Sequence, residues 1–163
     1  KEAAAPEFST YARKIVENSK ALAESFMAQG VNVLTGGTDN HLLVVDLRPQ
    51  GVIGNIVAEA LEVANIVVNY NTVPHDNNPP MYPSGIRIGT PAITTRGMKE
   101  REMKKISGWI GQVINEVTHY RLPEAKEERG KFIKQVKQEL WMNKRLRQIG
   151  KQIKTFARRF PLP

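Results

Sequence analysis

The spacing of apolar residues changes repeatedly along this chain, and these changes limit the folds that it can form. From Pro6 to Met27, apolar residues recur at three- and four-residue steps, as in a helix with one buried side. Pro6 suits a first helical turn and Gly30 suits a helix end, so we predict one long helix between them. Shorter runs typical of strands follow, beginning with Leu42 to Val45. A chain that mixes helical and strand patterns in this order belongs to the α/β class.

The same spacing gives the remaining elements of residues 1–120. We predict strands at 31–34, 41–47, 66–68 and 86–90, and further helices at 54–64 and 99–117. Gly36 and Gly37 indicate a turn, because the spaced glycines and Lys-Ser/Thr pair of a phosphate-binding loop are missing. A loop at 71–84 contains four prolines, so we expect it to be stiff. The predicted architecture is a small α/β sandwich with long flanking helices.

Charge divides the chain into two parts. Residues 121–163 contain 13 Lys/Arg and 4 Asp/Glu, a net charge of +9, whereas residues 1–120 contain 11 and 12, a net charge of −1. In the basic part, a stripe that ends at Leu140 is out of phase with one that runs from Ile149 to Phe160, which predicts two helices or one broken helix. We therefore expect a body at 1–120 and a basic helical extension at 121–163 packed on it.

Several classes of function are excluded or disfavoured by composition. The chain has no cysteine, which excludes disulfides, thiolate metal sites and cysteine catalysis within it. No apolar run approaches the roughly 18 residues of a membrane span, and we expect a cytoplasmic protein. His41, His75 and His119 lie far apart without metal-ligand spacing, so no metal site is predicted. A start at Lys1 suggests a piece of a longer protein or a processed chain.

Two polar features of the body have alternative explanations. His75-Asp76 is the one adjacent His/Asp pair, and a role in turn geometry is favoured over a catalytic triad. Arg87 stands between Ile86 and Ile88 in an apolar strand, where alternation turns it to the opposite side. It can pair with a carboxylate of the fold, lie on an exposed strand face, or bind an anion such as a small carboxylate substrate. The residues alone leave these alternatives open.

Three stretches carry a resemblance to a known family. They are Gly-Gly-Thr-Asp-Asn-His-Leu at 36–42, Val-Asn-Tyr-Asn at 68–71 and Ser-Gly-Ile-Arg-Ile-Gly-Thr-Pro-Ala-Ile-Thr-Thr-Arg-Gly at 84–97. In order, spacing and flanking helices the chain resembles serine hydroxymethyltransferase over residues 5–117, and loosely over 149–160. The resemblance implies the C-terminal small domain of a fold-type-I (aspartate aminotransferase-like) enzyme that uses pyridoxal 5'-phosphate (PLP). Such a glycine hydroxymethyltransferase is a homodimer that interconverts serine and glycine with tetrahydrofolate as the one-carbon acceptor.

The resemblance also implies roles for individual residues. Arg87 matches the arginine that binds the substrate carboxylate, and Asn71 matches an asparagine that bonds the folate pterin. Pro79, Pro80 and Met81 fall on a folate-contact triplet that is often Ser-Pro-Phe, so only Pro80 agrees. Tyr70 and Pro83 stand where the family commonly has Lys and Thr.

The resemblance implies that the cofactor lysine lies in a Thr-rich His-Lys segment that would precede Lys1. No lysine of this chain stands in such a motif. We therefore expect no catalytic residue in this chain, a PLP-binding large domain as its partner, and no activity of the chain alone.

Two other functions compete with this interpretation. The basic extension can bind nucleic acid, with Trp141 and Phe156 supplying base stacking. Its candidate cations are Lys131, Lys134, Lys137, Lys144, Arg145, Arg147, Lys151, Lys154, Arg158 and Arg159. The simpler explanation is a solvated helix face with its apolar side on the body. A third interpretation is a structural domain that caps a larger partner, which predicts an exposed apolar surface.

Overall fold

A computed structural model describes residues 2–162 as helices packed against one side of a four-stranded antiparallel sheet. The helices are α1 (Pro6–Ala28), α2 (Gly54–Val63), α3 (Pro91–Thr95), α4 (Glu100–Val117), α5 (Lys126–Met142) and α6 (Lys144–Ala157). The strands are β1 (Asn32–Val33), β2 (Leu42–Asp46), β3 (Asn69–Asn71) and β4 (Gly85–Gly89), in the order β1-β2-β4-β3. The predicted mixture of helices and sheet is confirmed.

The long first helix ends where the sequence predicts. Gly30 adopts a φ of 74°, which is inexpensive for glycine, and the amide of Val31 donates to the carbonyl of Phe26 at 3.0 Å. β1 then covers only two residues of the predicted 31–34 strand, because Leu34 already begins a 3-10 turn that extends to Gly36.

The prediction of a strand at 66–68 is wrong. α2 ends in the same motif as α1, with Asn65 at a φ of 62° and the amide of Ile66 donating to the carbonyl of Leu61 at 2.8 Å. The amide of Ile66 therefore caps the end of α2, and Val67 is 88% exposed, so neither residue lies in a strand. The strand is β3, three residues further along the chain at Asn69–Asn71, where Asn69 pairs with Arg87 of β4.

The sheet has one buried face and one open face. Val45 pairs with Ile86, and Leu43 with Ile88, and all four side chains are buried against the helices. The alternating residues point the other way. Since Ile86 and Ile88 are buried, the side chain of Arg87 between them lies on the open face.

The basic extension forms two helices, as its two apolar stripes predict. Asn143 separates them and caps α6, because its side chain accepts hydrogen bonds from the amides of Arg145 (2.8 Å) and Leu146 (3.0 Å). α5 packs on α2, and α6 packs on α2 and α4. The apolar side chains that α5 and α6 bury in the common core are Val136, Leu140, Leu146, Ile149, Ile153 and Phe156.

Polar contacts also join the extension to the body. At Gly150, α6 approaches the end of α2 so closely that a Cβ would lie 2.8 Å from Nδ2 of Asn65, which donates to the Gly150 carbonyl. Arg96 donates from Nε and Nη2 to the carbonyls of Phe160 and Ala157, both at 2.6 Å. Of the helices within residues 2–162, none is long and apolar enough to span a bilayer.

Candidate functional site

The open face of the sheet carries an arginine without a carboxylate partner. Arg87 is exposed, and its Nη2 lies 3.5 Å from Oδ1 of Asn69 on the neighbouring strand. Within residues 2–162, no carboxylate lies within 4.0 Å of its guanidinium. The structural ion pair considered for Arg87 is therefore not formed. Its planar donors remain available to an external anion.

Strand pairing brings two asparagines to the same face. Asn69 lies opposite Arg87, and Asn71 lies two residues along the same strand, opposite Gly85. Alternation places Asn69, Asn71 and Arg87 on one side. Nδ2 of Asn71 donates to the carbonyl of Thr72 at 2.7 Å, and in the described part of the chain its Oδ1 accepts no hydrogen bond. This side of the sheet thus offers a cation and amide groups together.

A single carboxylate organises the loop that connects these two strands. Asp76 accepts hydrogen bonds from the amides of Ser84 (2.8 Å) and Asn78 (3.0 Å), from the Ser84 hydroxyl (2.7 Å) and from the amide of Val73 (3.4 Å). Burial acts to raise the pKa of Asp76, but these hydrogen bonds outweigh it and lower the pKa below its usual value. The favoured role of His75-Asp76 in turn geometry agrees with these contacts, none of which involves the imidazole.

A second acidic residue anchors the same loop from β2. Nε and Nη2 of Arg48 bond the Asp46 carboxylate at 3.0 and 2.7 Å, and Nη1 reaches the carbonyl of His75 at 3.2 Å. Burial acts to raise the pKa of Asp46, and the bonds from Arg48 lower it overall. Both ends of the loop are consequently held, which supports the prediction that it is stiff.

The tip of the loop lies at a groove along the edge of β3, which Asn69 also lines. Pro79, Pro80 and Met81 are exposed, and the Met81 carbonyl accepts from Nδ2 of Asn55 on α2 at 3.0 Å. Pro80 and Met81 line a groove of about 570 Å³ together with Tyr70. The predicted site residues therefore form two groups: Arg87 and Asn71 on the open face, and the loop tip on this groove.

A second, larger groove holds none of the predicted site residues. It measures about 770 Å³ and lies between α1 and the turn at 34–40. The lysine that lines this groove, Lys20, lies 3.7 Å from the Asp39 carboxylate, so the groove does not offer an anion an unpaired cation as Arg87 does. The interpretation as a structural domain that caps a larger partner predicts exposed apolar surface. Some is present along the groove beside β3, at Val67 (88% exposed), Tyr70 (53%) and Met81 (70%). Within residues 2–162, no group of three His, Asp or Glu side chains could hold a metal ion.

One part of the nucleic-acid interpretation is wrong. Phe156 cannot stack on a base, because its ring is buried and meets Trp109 edge-on at a centroid distance of 5.1 Å. Trp141 is half exposed, but its indole N–H donates to Oε1 of Glu59 at 2.9 Å. Of the candidate cations, Lys137 is paired with Glu59 at 2.8 Å.

Sequence reasoning missed Asn69 and the loop-holding residues. Asn69 and Asn71 alternate, which is the strand signal that would have placed both beside Arg87. Arg48 and Asp46 gave no such signal, because the carbonyl that Arg48 reaches is 27 residues away in sequence.

Comparison with known proteins gives a consistent result over the first two thirds of the chain. A family model for serine hydroxymethyltransferase matches residues 1–110. A serine hydroxymethyltransferase of Acidothermus cellulolyticus is 54% identical over 116 residues, which are 71% of this chain and 27% of that protein. Those of Acidobacterium capsulatum and Myxococcus xanthus are 53% identical over 110 residues and 51% over 115, covering 68% and 71% of this chain.

The chain spans only about a quarter of the length of these relatives, 26% and 28% for the last two. The matched residues nevertheless include the whole sheet and the open face with Arg87. The extension from residue 121 lies beyond the family model. The chain belongs to the serine hydroxymethyltransferase family.

Proposed function

We propose that this chain is the C-terminal part of an enzyme that interconverts serine and glycine with tetrahydrofolate as the one-carbon acceptor. Family membership supports this reaction, and with it a fold-type-I architecture, a cytoplasmic homodimer and the cofactor PLP. In this proposal residues 1–120 are the small domain, and residues 121–163 are an extension packed on it.

The observation that carries the proposal is the unpaired guanidinium of Arg87. An arginine on an open sheet face, with an amide oxygen 3.5 Å away as its one polar contact in residues 2–162, matches a bidentate site for a small carboxylate. A carboxylate bound there fixes the orientation of the amino acid's Cα bonds. That orientation determines which bond is broken, which is the contribution of a positioning group to catalysis.

The cofactor site belongs to another part of the enzyme. PLP supplies an electron sink for the electrons of the broken bond. The residues present do not fit the cofactor itself, since no lysine of this chain stands in a Thr-rich His-Lys motif. We infer that the chain binds and orients substrate against a large domain, and that alone it is inactive.

For the folate, Asn71 is the stronger candidate. Its free Oδ1 and remaining N–H suit a heterocycle that both donates and accepts, and the Asp76-held loop fixes the strand end that carries it. Pro80 and Met81 can contribute backbone and apolar contacts from the groove, and Pro79 precedes them at the exposed loop tip. Met81 offers neither the ring nor the rigidity of an aromatic residue, so we expect its contribution to be small.

The test is Arg87→Ala in the full-length enzyme. Removing one partner of a charge-assisted bidentate contact is expected to raise the KM for serine about 100-fold or more. The absorbance of bound PLP should stay unchanged, since Arg87 is not part of the proposed cofactor site. Arg87→Lys keeps the positive charge but loses the planar pair of donors, so it should recover only part of the affinity for serine.

Arg101→Ala is the matched control, because Arg101 is an exposed arginine of the same domain on α4. It should leave saturation by serine and glycine unchanged. Normal saturation in Arg87→Ala would contradict the proposal. A loss of cofactor absorbance in that variant would instead indicate a structural role for Arg87.

A further inference from the structure

The positive charge of the extension is concentrated in its last part. Residues 121–143 contain 6 Lys/Arg and 4 Asp/Glu, whereas residues 144–162 contain 7 Lys/Arg and no acidic residue. α5 therefore carries mixed charge, and α6 with the residues after it carries only positive charge.

Four cations of α6, with Arg158 directly after the helix, form a line on one side. Lys144, Arg147, Lys151, Lys154 and Arg158 are separated by three, four, three and four residues, the spacing that keeps side chains on one helix face. All five residues are exposed. At 1.5 Å per residue this line, which we term the basic stripe, is about 21 Å long.

The basic stripe has no partner within the fold. In the described part of the chain, none of its nitrogens lies within 4.0 Å of a carboxylate, in contrast to Lys137 on α5, which pairs with Glu59 at 2.8 Å. Arg147 does donate to a main-chain carbonyl, that of Trp141, which leaves its charge uncompensated. Like charges three and four residues apart destabilise a helix. The stripe thus lowers the stability of α6 unless an anion binds it.

The opposite side of α6 restricts what that anion can be. It is buried in the core, with Leu146 and Ile149 fully inaccessible. Binding to a membrane by insertion of the apolar side into lipid is therefore excluded, because α6 would have to leave the protein to insert. A straight row of cations instead complements a straight row of phosphates.

We propose that the basic stripe binds the phosphate backbone of a nucleic acid without reading its sequence. This property lies outside the proposed one-carbon chemistry and rests on residues beyond the family match. With no aromatic side chain in the stripe itself, affinity comes from the release of counterions. Five contacts to a single strand give a slope of log K against log salt of about −3.5, or about a 100-fold weakening between 50 and 200 mM salt.

The experiment is fluorescence anisotropy of the 163-residue chain with labelled 20-mers of single-stranded RNA and duplex DNA, from 20 to 200 mM KCl. The stripe variant replaces its five cations by glutamine. A matched control variant replaces five exposed cations of the body by glutamine: Arg13, Lys14, Lys20, Arg101 and Lys104. Both variants lose the same net charge, and circular dichroism checks that each remains folded. A milder variant, Lys144→Gln with Lys151→Gln, keeps the Arg147 contact and is expected to reduce the salt slope by about 1.4.

The expected result is that the stripe variant loses at least 30-fold in affinity for both probes at 50 mM KCl, while the control variant keeps most of it. Equal losses in the two variants would overturn the proposal in favour of unspecific attraction by net charge. No binding of the unsubstituted chain at 20 mM KCl would also overturn it. Stronger binding to vesicles containing phosphatidylserine than to either nucleic acid would identify a membrane surface as the partner instead.

Discussion

Residues 1–120 and the extension after them differ in net charge and in their match to the family model. The body has a net charge of −1, whereas the extension has a net charge of +9. The family model ends at residue 110 and does not reach α5 or α6. The two regions nevertheless share one core, in which Val136 and Leu140 of α5 contact α2 and Phe156 of α6 meets Trp109 of α4.

The comparison shows that a change in charge or family resemblance along a chain need not mark a boundary in packing. Each region buries its apolar side in the same place and exposes its polar groups elsewhere: the body at Arg87 on the open sheet face, the extension on the basic stripe of α6. By packing, the extension and residues 1–120 form one unit. By surface chemistry, the extension is separate.

Removing residues 121–163 is the strongest test of this comparison. The truncation exposes the core surface that six buried side chains of α5 and α6 cover. Because this apolar surface becomes exposed to water, we expect the truncated chain to lose a large fraction of the roughly 5–15 kcal/mol that stabilises a typical domain. We expect no cooperative thermal transition in the truncated chain, measured by circular dichroism. An unchanged transition would mean that the extension is an independent addition.

Single substitutions provide the matched control for the truncation. Leu146→Ala in the extension and Leu61→Ala in the body each remove a fully buried leucine. If the core is shared, both should cost about 2–5 kcal/mol in urea denaturation.

Gly150→Ala tests the contact between the two regions more finely. A Cβ at this position would lie 2.8 Å from Nδ2 of Asn65 and 3.0 Å from the carbonyl of Val63, so Asn65 must move and lose its hydrogen bond to the Gly150 carbonyl. We expect a loss of about 1–2 kcal/mol in the free energy of unfolding, despite the better helix propensity of alanine. Gly130→Ala, at an exposed position of α5 where a Cβ meets nothing within 4 Å, should instead raise the free energy of unfolding by up to about 1 kcal/mol. Equal effects would show that α6 does not approach α2 this closely.

Apolar spacing predicted most of the fold because burial on one side imposes the helical or strand period directly. It located every described helix of eight residues or more and a break between Leu140 and Leu146, which the structure places at Asn143. It failed at 66–68, where Ile66 is apolar because it closes the end of α2 and not because it lies in a strand. A three-residue strand such as β3 is specified by its partner β4, and its own residues carry little pattern.

The candidate site was predictable in its chemistry and not in its geometry. Alternation alone placed Arg87 opposite its apolar neighbours, but whether a carboxylate faced it depended on residues distant in sequence. The loop tip at 79–81 was assigned by resemblance, and its position on a groove beside α2 and α5 depends on a helix that lies beyond the family model.

The smallest expected effect concerns the ion pair between the regions, Glu59 of the body with Lys137 of the extension at 2.8 Å. Burial acts to raise the pKa of Glu59, but hydrogen bonds from Lys137 and Trp141 lower it below its usual 4.5. Because the pKa of Glu59 is lower in the folded than in the unfolded state, its ionised carboxylate stabilises the fold above pH 4.5. This stabilisation is lost as the pH falls through the folded-state pKa. For Lys137, bonding to Glu59 raises the pKa above 10.5, so its contribution is lost only as the pH rises past that. A double-mutant cycle of Glu59→Gln and Lys137→Gln should give a coupling of about 0.2–1 kcal/mol at pH 7, which decreases at high salt and as the pH falls through the lowered pKa of Glu59. The same cycle on Lys20 and Asp39, an exposed pair within the body at 3.7 Å, should give a coupling near zero. Equal coupling in both cycles would show that the Glu59–Lys137 ion pair contributes nothing specific to the attachment of the extension.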